Sequence, residues 1–241
     1  MKKVEDLKNY GKPLSDVMLD SEGKKHSKRI TSTVISELRR ELGLIGIIKL
    51  MLKSRKETNL GKALDWSSIN ERGMTNRRFL NALITQTAAA KALADTVGKD
   101  KASNMIRGSL DQTVDITAPL YPPPEDFKAC GDGFGAFRKY MKEQFKAHAN
   151  AHLQELDIAE DSPRALSVNV KYCLWCEVAK KLGDPSLCYP GSCYWDEVYF
   201  PKALAELGGR FTRTGTLATG APVCDFRFEL VGKGVSRVGE A

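Results

Sequence analysis

The sequence predicts an α+β fold, with a helical N-terminal half packed on a small antiparallel β-sheet formed by the C-terminal half. Three observations carry this. Apolar residues recur at three- and four-residue spacing through the first half, as amphipathic helices require. The run from Leu166 to Tyr172 alternates apolar with polar residues, the period of a strand. Two more β-like runs near the C-terminus flank a Gly-containing turn and read as a hairpin. Strands gathered at one end of a chain favour a segregated layout over alternating βαβ units.

Taken in order, residues 1–30 are polar and broken by Gly11, Pro13 and Gly23, so a loosely ordered lead-in is expected. Ile30, Val34, Leu38 and Leu42 keep helical spacing, continued by Ile45, Ile48 and Leu52. This is one helix, or two broken near Gly43–Gly46. Residues 54–74 read as a loop. Thr75 suits an N-cap for a helix through Phe79 and Leu83 to Val97, stopped by Gly98. Another helix spans about 101–114, and Tyr121-Pro122-Pro123-Pro124 ends regular structure because proline lacks a backbone donor.

Phe134, Phe137, Met141 and Phe145 line one face of a helix ending near Leu153. Asp161-Ser162-Pro163 is a turn before the Leu166–Tyr172 strand. A short helix follows from Cys173 to Leu182, then a loop over 184–192, then a helix over 195–207. Strands over 210–218 and 223–231 close the chain, joined through Thr219-Gly220-Ala221-Pro222. The division expected is a basic arm with the first helix at 1–58 and an α+β domain at 59–241. That domain is helical to about 120 and sheet-bearing over 125–232.

Composition excludes several classes. At 42% hydrophobic and 28% charged, the 241 residues are those of a globular protein. No window approaches the ~18 apolar residues of a membrane span, so no membrane partner is expected. Lysines at the start lack an apolar run behind them, so no secretory leader is read there, and a reducing cytoplasm is the expected location. The net charge of +7 sits mostly in the first sixty residues, where fourteen Lys or Arg face eight acids. The only dense basic cluster, Lys24-Lys25-His26-Ser27-Lys28-Arg29, has no interleaved aromatics for base stacking. A solvated surface, not a nucleic-acid site, is the expectation.

The chemistry gathers in the last seventy residues. Period two from Phe211 puts Arg213 and Gly215 on the core side of their strand. An inward guanidinium cannot be deprotonated and must meet an anion or acceptor. On the partner strand Cys224 shares a face with Phe226, Phe228 and Leu230, while Asp225 and Arg227 point the other way, as a surface pair would.

Cys173, Cys176, Cys188 and Cys193 form C-x2-C-x11-C-x4-C, open to three readings: a zinc ribbon, a Cys173–Cys176 dithiol, or Cys193 as nucleophile. The last places Cys193 at a helix N-terminus with Asp196 in its first turn. His148 and His152 are spaced i, i+4 but lack a third ligand, so a polar helix face is expected there. Gly131-Asp132-Gly133-Phe134-Gly135 lacks the Lys and Ser/Thr of a phosphate loop and reads as a turn.

Five segments together resemble the L-2-amino-thiazoline-4-carboxylic acid hydrolase family. They are Val170-Lys-Tyr-Cys173-Leu-Trp, Gly183-Asp-Pro-Ser-Leu, Cys193-Tyr-Trp-Asp196, Arg213-Thr-Gly-Thr216-Leu217-Ala-Thr-Gly220 and Cys224-Asp225-Phe-Arg227. The resemblance is firm over about 60 C-terminal residues and looser over 70–232. It implies hydrolytic opening of a small cyclic C=N ring bearing a carboxylate, without metal or other cofactor. Carried onto this chain, it marks Cys193, Asp196 and Cys224 as catalytic. It marks Arg213, Thr216, Cys173 and Asp225 as substrate-binding, with Gly220 a further pattern position. Cys176 and Cys188 depart from that pattern, which disfavours zinc. A small carboxylate-bearing substrate is the expected partner, and a homo-oligomer stays open. The alternatives are a binding or sensor domain without turnover, or a zinc-stabilised module.

Overall fold

The computed structural model describes residues 1–117 and 121–231. The tail that closes the expected 59–241 domain, and the side chains of His26, Ile30 and Val114, lie outside the described residues. The helical half comprises α1 (Leu14–Leu19), α2 (Ser21–Lys62), α3 (Ser67–Glu71), α4 (Arg77–Val97) and α5 (Lys99–Thr117). Then come α6 (Pro124–Lys128), α7 (Gly133–Asn150), β1 (Gln154–Ser162), β2 (Ala165–Cys173), α8 (Leu174–Lys181), α9 (Tyr194–Ala205), β3 (Gly209–Thr212) and β4 (Cys224–Leu230). The strands form one antiparallel sheet in the order β1-β2-β4-β3. The α+β expectation holds.

The expected break in the first long helix is at Gly43, whose φ of 66° and ψ of 177° leave the helical region. Only glycine adopts that conformation at low cost. The loosely ordered lead-in is a misreading. Leu7 is 3% exposed within the main core, and α7 holds the segment by Tyr140 Oη donating to the Lys8 carbonyl and Gln144 Nε2 to that of Asn9. Lys24, Lys25 and Lys28 do lie exposed, but on α2.

The loop expected over 54–74 is mostly helix. Packing overrides its polar composition, since Gly61 meets Ile84 and Leu182 closely and Trp66 Nε1 donates to the Gly61 carbonyl. Asn76 rather than Thr75 caps α4, accepting from the Phe79 N–H at 3.0 Å.

The edge strand β1 escaped the sequence reading because Glu155, Asp157, Glu160 and Asp161 are poor β formers. The ladder to β2 and ion pairs of Lys171 with Asp157 and of Arg138 and Lys142 with Asp161 hold it. His148 and His152 do not share a helix face. His148 is buried at the end of α7 beside Gln154, whereas His152 lies past the helix at a φ of 55°.

The hairpin pairing is as expected, Phe211 opposite Phe228 and Thr212 opposite Arg227, but β3 stops at Thr212. Residues 213–223 form an irregular connection with a 3-10 turn at Leu217–Thr219. The main core lies between the sheet and α7 and α9, with Phe137, Tyr140, Val168, Val170, Phe200 and Phe228 at its centre. A second core joins α4 to α8 through Phe79, Leu83, Leu174 and Val178. The crevice between these cores is where the start of α8, the start of α9 and the 213–223 connection meet.

Candidate active site

Five of the six cysteines converge in that crevice. Cys173 ends β2, Cys176 lies in the first turn of α8, Cys188 and Cys193 bracket the turn before α9, and Cys224 begins β4. Cys176 and Cys188 pack with Ala179 and Ala218, flanked by Cys173, Cys193, Tyr189 and Leu217. The Cys188 and Cys193 sulfurs are 3.8 Å apart. Cys130 stands elsewhere, against the Asp126 carbonyl. Among the described residues no group of three or more His, Cys, Asp or Glu has the arrangement to hold a metal ion.

Burial keeps most of these sulfurs protonated. It raises Cys224 to about 11, partly offset by the Leu217 N–H that points at the sulfur from 3.2 Å. Burial likewise raises Cys176 to about 12 and Cys173 well above the ordinary thiol range. Cys188 is held well up, first by its hydrogen bond with Cys193 and then by burial. Cys193 itself is half-buried.

The expected free helix N-terminus at Cys193 is not there. Residues Tyr189–Cys193 form a π-helical turn that continues into α9, and the Tyr194 N–H is taken by the Tyr189 carbonyl. Pro190 near the start of that turn costs nothing, because its missing N–H falls where no helical bond is made. Cys193 is instead tied by its carbonyl, which accepts from Arg213 Nη2 at 2.8 Å.

Arg213 organises this region. Although it lies one residue past β3, its side chain points inward as the strand period predicted, 2% exposed and with the guanidinium 5.3 Å from the Phe226 ring centre. Nη1 donates to Asp196 at 2.7 Å and Nη2 to Glu197 at 2.8 Å. Burial opposes the cation, but Asp196 and Glu197 hold the guanidinium above its ordinary range. Its Nε finds no hydrogen-bond partner among the described residues. Burial raises the Asp196 carboxyl to about 6 against the pull of Arg213. Its side chain is still 22% exposed, so solvent reaches one side.

Thr216 and Asp225 fix the backbone that carries Arg213. The Asp225 carboxylate accepts from the N–H groups of Thr214 and Gly215 and from the Thr214 hydroxyl, at 2.7–2.9 Å. Asp225 and Arg227 are thus not partners; Arg227 donates to Asn169. Buried Thr216 caps the 3-10 turn reciprocally with Thr219, and Gly220 ends it at a φ of 88°.

Sequence reasoning missed Glu197 and Tyr189, whose hydroxyl donates to Glu197 at 2.9 Å. The signal was present: an inward arginine has five donors and needs more than one acceptor. A cavity of about 140 Å³ borders the far side of the turn, lined by Leu187, Tyr189, Pro190 and Thr219. Cys193, Asp196 and Arg213 are not among its walls.

The profile of the L-2-amino-thiazoline-4-carboxylic acid hydrolase family matches residues 76–228. The chain belongs to that family. The match runs from the start of α4 into β4 and so takes in every residue of the crevice. No match appears among curated proteins or among solved structures. Membership gives a hydrolase family, and no described helix is long and apolar enough to cross a membrane.

Proposed function

We propose that this protein hydrolyses a small cyclic C=N ring bearing a carboxylate, of the 2-amino-thiazoline-4-carboxylate type, through covalent attack by Cys193. The supporting observation is that one buried guanidinium, Arg213, ties the Asp196 carboxylate to the backbone carbonyl of Cys193, one turn earlier in the same helical run. Cys224, the other thiol that the resemblance marks as catalytic, is buried and pushed up to about 11, which favours Cys193 as the nucleophile. Cys173, Cys176 and Cys188 are held as thiols in the same way.

In this reading the Asp196 carboxylate accepts the Cys193 proton as sulfur bonds to the ring carbon. The C=N electron pair moves to nitrogen, which takes that proton from Asp196. Collapse of the tetrahedral carbon re-forms C=N and breaks the ring bond to the other heteroatom, which leaves with the nitrogen's proton relayed by Asp196. Water oxygen then bonds to that carbon and becomes C=O as the carbon–sulfur bond to Cys193 breaks, and one of the water's protons returns to the Cys193 sulfur. The substrate carboxylate takes the place of Glu197, which is 37% exposed, on Arg213. Thr216 and Asp225 line the approach while fixing the Arg213 backbone, and Cys173 and Cys224 wall the inner side.

The test is turnover of L-2-amino-thiazoline-4-carboxylate, read as a product one water heavier. Product formed by the wild type and absent in Cys193→Ser supports the reading. Substrate bound but unchanged favours the non-catalytic sensor alternative, and equal turnover by Cys193→Ser overturns the nucleophile.

A further inference from the structure

The two cysteines that depart from the family pattern, Cys176 and Cys188, have no part in the chemistry above, yet Cys188 touches the proposed nucleophile. We infer that Cys188 and Cys193 form a thiol–disulfide modification site, in which Cys188 resolves small disulfides captured by Cys193.

The geometry is that of a pair one covalent step apart. The sulfurs lie at 3.8 Å, so closing to a disulfide takes roughly 1.8 Å of approach. Cys188 precedes and Cys193 ends a single π-helical turn, Tyr189–Cys193, so both thiols are carried by one short irregular segment. Their exposures set the order of events. Cys188 is 5% exposed and screened by Ala218, Leu187 and Tyr189, whereas Cys193 is half-buried and is reached first. Capping Cys193 also removes the hydrogen bond that most raises Cys188, which readies the buried thiol for the second step. Cys176 and Cys224 also lie nearby, but the 3.8 Å contact belongs to Cys188.

The oxidant is a low-molecular-weight disulfide, RSSR. Cys193 loses its proton and attacks one sulfur, forming a mixed disulfide and releasing RSH. Cys188 then loses its proton and attacks the Cys193 sulfur, expelling the second RSH. Two protein thiols give up two electrons and two protons, and RSSR is reduced to two RSH. The consequence for catalysis rests on Cys193 as nucleophile: the closed pair has no free sulfur to attack the ring carbon.

The experiment treats the full-length protein with glutathione disulfide, blocks remaining thiols with iodoacetamide, and maps tryptic peptides without reduction. Residues 182–202 form one peptide holding only these two cysteines. The expected result is that peptide two hydrogens lighter, unalkylated and restored by dithiothreitol. In Cys188→Ser the same peptide instead retains glutathione on Cys193, and removal of that adduct slows by about tenfold or more. Cys130→Ser, remote from the crevice, behaves as wild type. Stable glutathione on wild-type Cys193, or a bond from Cys193 to Cys173, Cys176 or Cys224, overturns the site.

Turnover by the oxidised protein is scored separately. A closed pair with full turnover refutes the nucleophile and leaves the modification site standing. An open pair refutes the site whatever the activity.

Discussion

Asp196 carries its charge in a place where burial works against it, and Arg213 is the reason it ionises near pH 6 rather than higher. If Asp196 must be a carboxylate to take the Cys193 proton, kcat/KM rises with pH through about 6. Asp196→Asn then loses that limb and about 10²–10⁴ in rate, checked by a pH–rate profile of both proteins. A limb at pH 6 that survives in Asp196→Asn assigns it to another group. Arg213→Lys replaces a planar fork with a point charge and loses the fixed geometry that reaches Asp196, Glu197 and the Cys193 carbonyl together. KM is expected to rise more than kcat falls, and an unchanged KM rejects Arg213 as the carboxylate partner. The inward Arg213 and Cys224 on the core face were legible from spacing. The Cys188–Cys193 contact was not, because it depends on how the 185–193 turns fold back, which no periodicity encodes, and Glu197 was signalled only by the donor count of the inward arginine.

At the level of elements, the legible parts were those with strong periodicity. The faces of α4 and α7 and the alternation of β2 gave correct elements, since one side of each is buried in a core. The illegible parts were β1, an acid-rich edge strand, and residues 54–62 at the end of α2, where tertiary packing overrides polar composition. Gly43 is the clearest local signal that held. Gly43→Ala is expected to destabilise the protein by about 1–3 kcal/mol, read by urea unfolding, because its backbone lies where an alanine is strained. No loss would mean that α2 runs straight through this position.

His148 ties α7 to the pH behaviour of the whole molecule. Burial lowers it to about 4 from 6.5, so the folded state keeps it neutral while the unfolded chain takes a proton. Its contribution is fully present above pH 6.5 and is lost as pH falls towards 4. Replacing it with Gln should flatten that part of the stability–pH curve, and an unaltered slope would place the dependence elsewhere. The largest cluster of buried side chains lies between the sheet and α7 and α9. Phe137, 1% exposed and edge-on to Phe127 and Phe228, should cost about 3–5 kcal/mol when cut to Ala. The same core seats α9 against the sheet, so it also sets where Cys193, Asp196 and Arg213 meet.

The most direct measurement is the rate of iodoacetamide labelling at each cysteine at pH 7, by fragment-resolved peptide mapping, with and without a cyclic amidine carboxylate. Cys193 labelling first, and protected by the ligand, is the predicted result, with Cys173, Cys176, Cys188 and Cys224 slow. Uniformly slow labelling of all six, or fast protected labelling of Cys224 instead, contradicts the assignment of Cys193 as the attacking thiol.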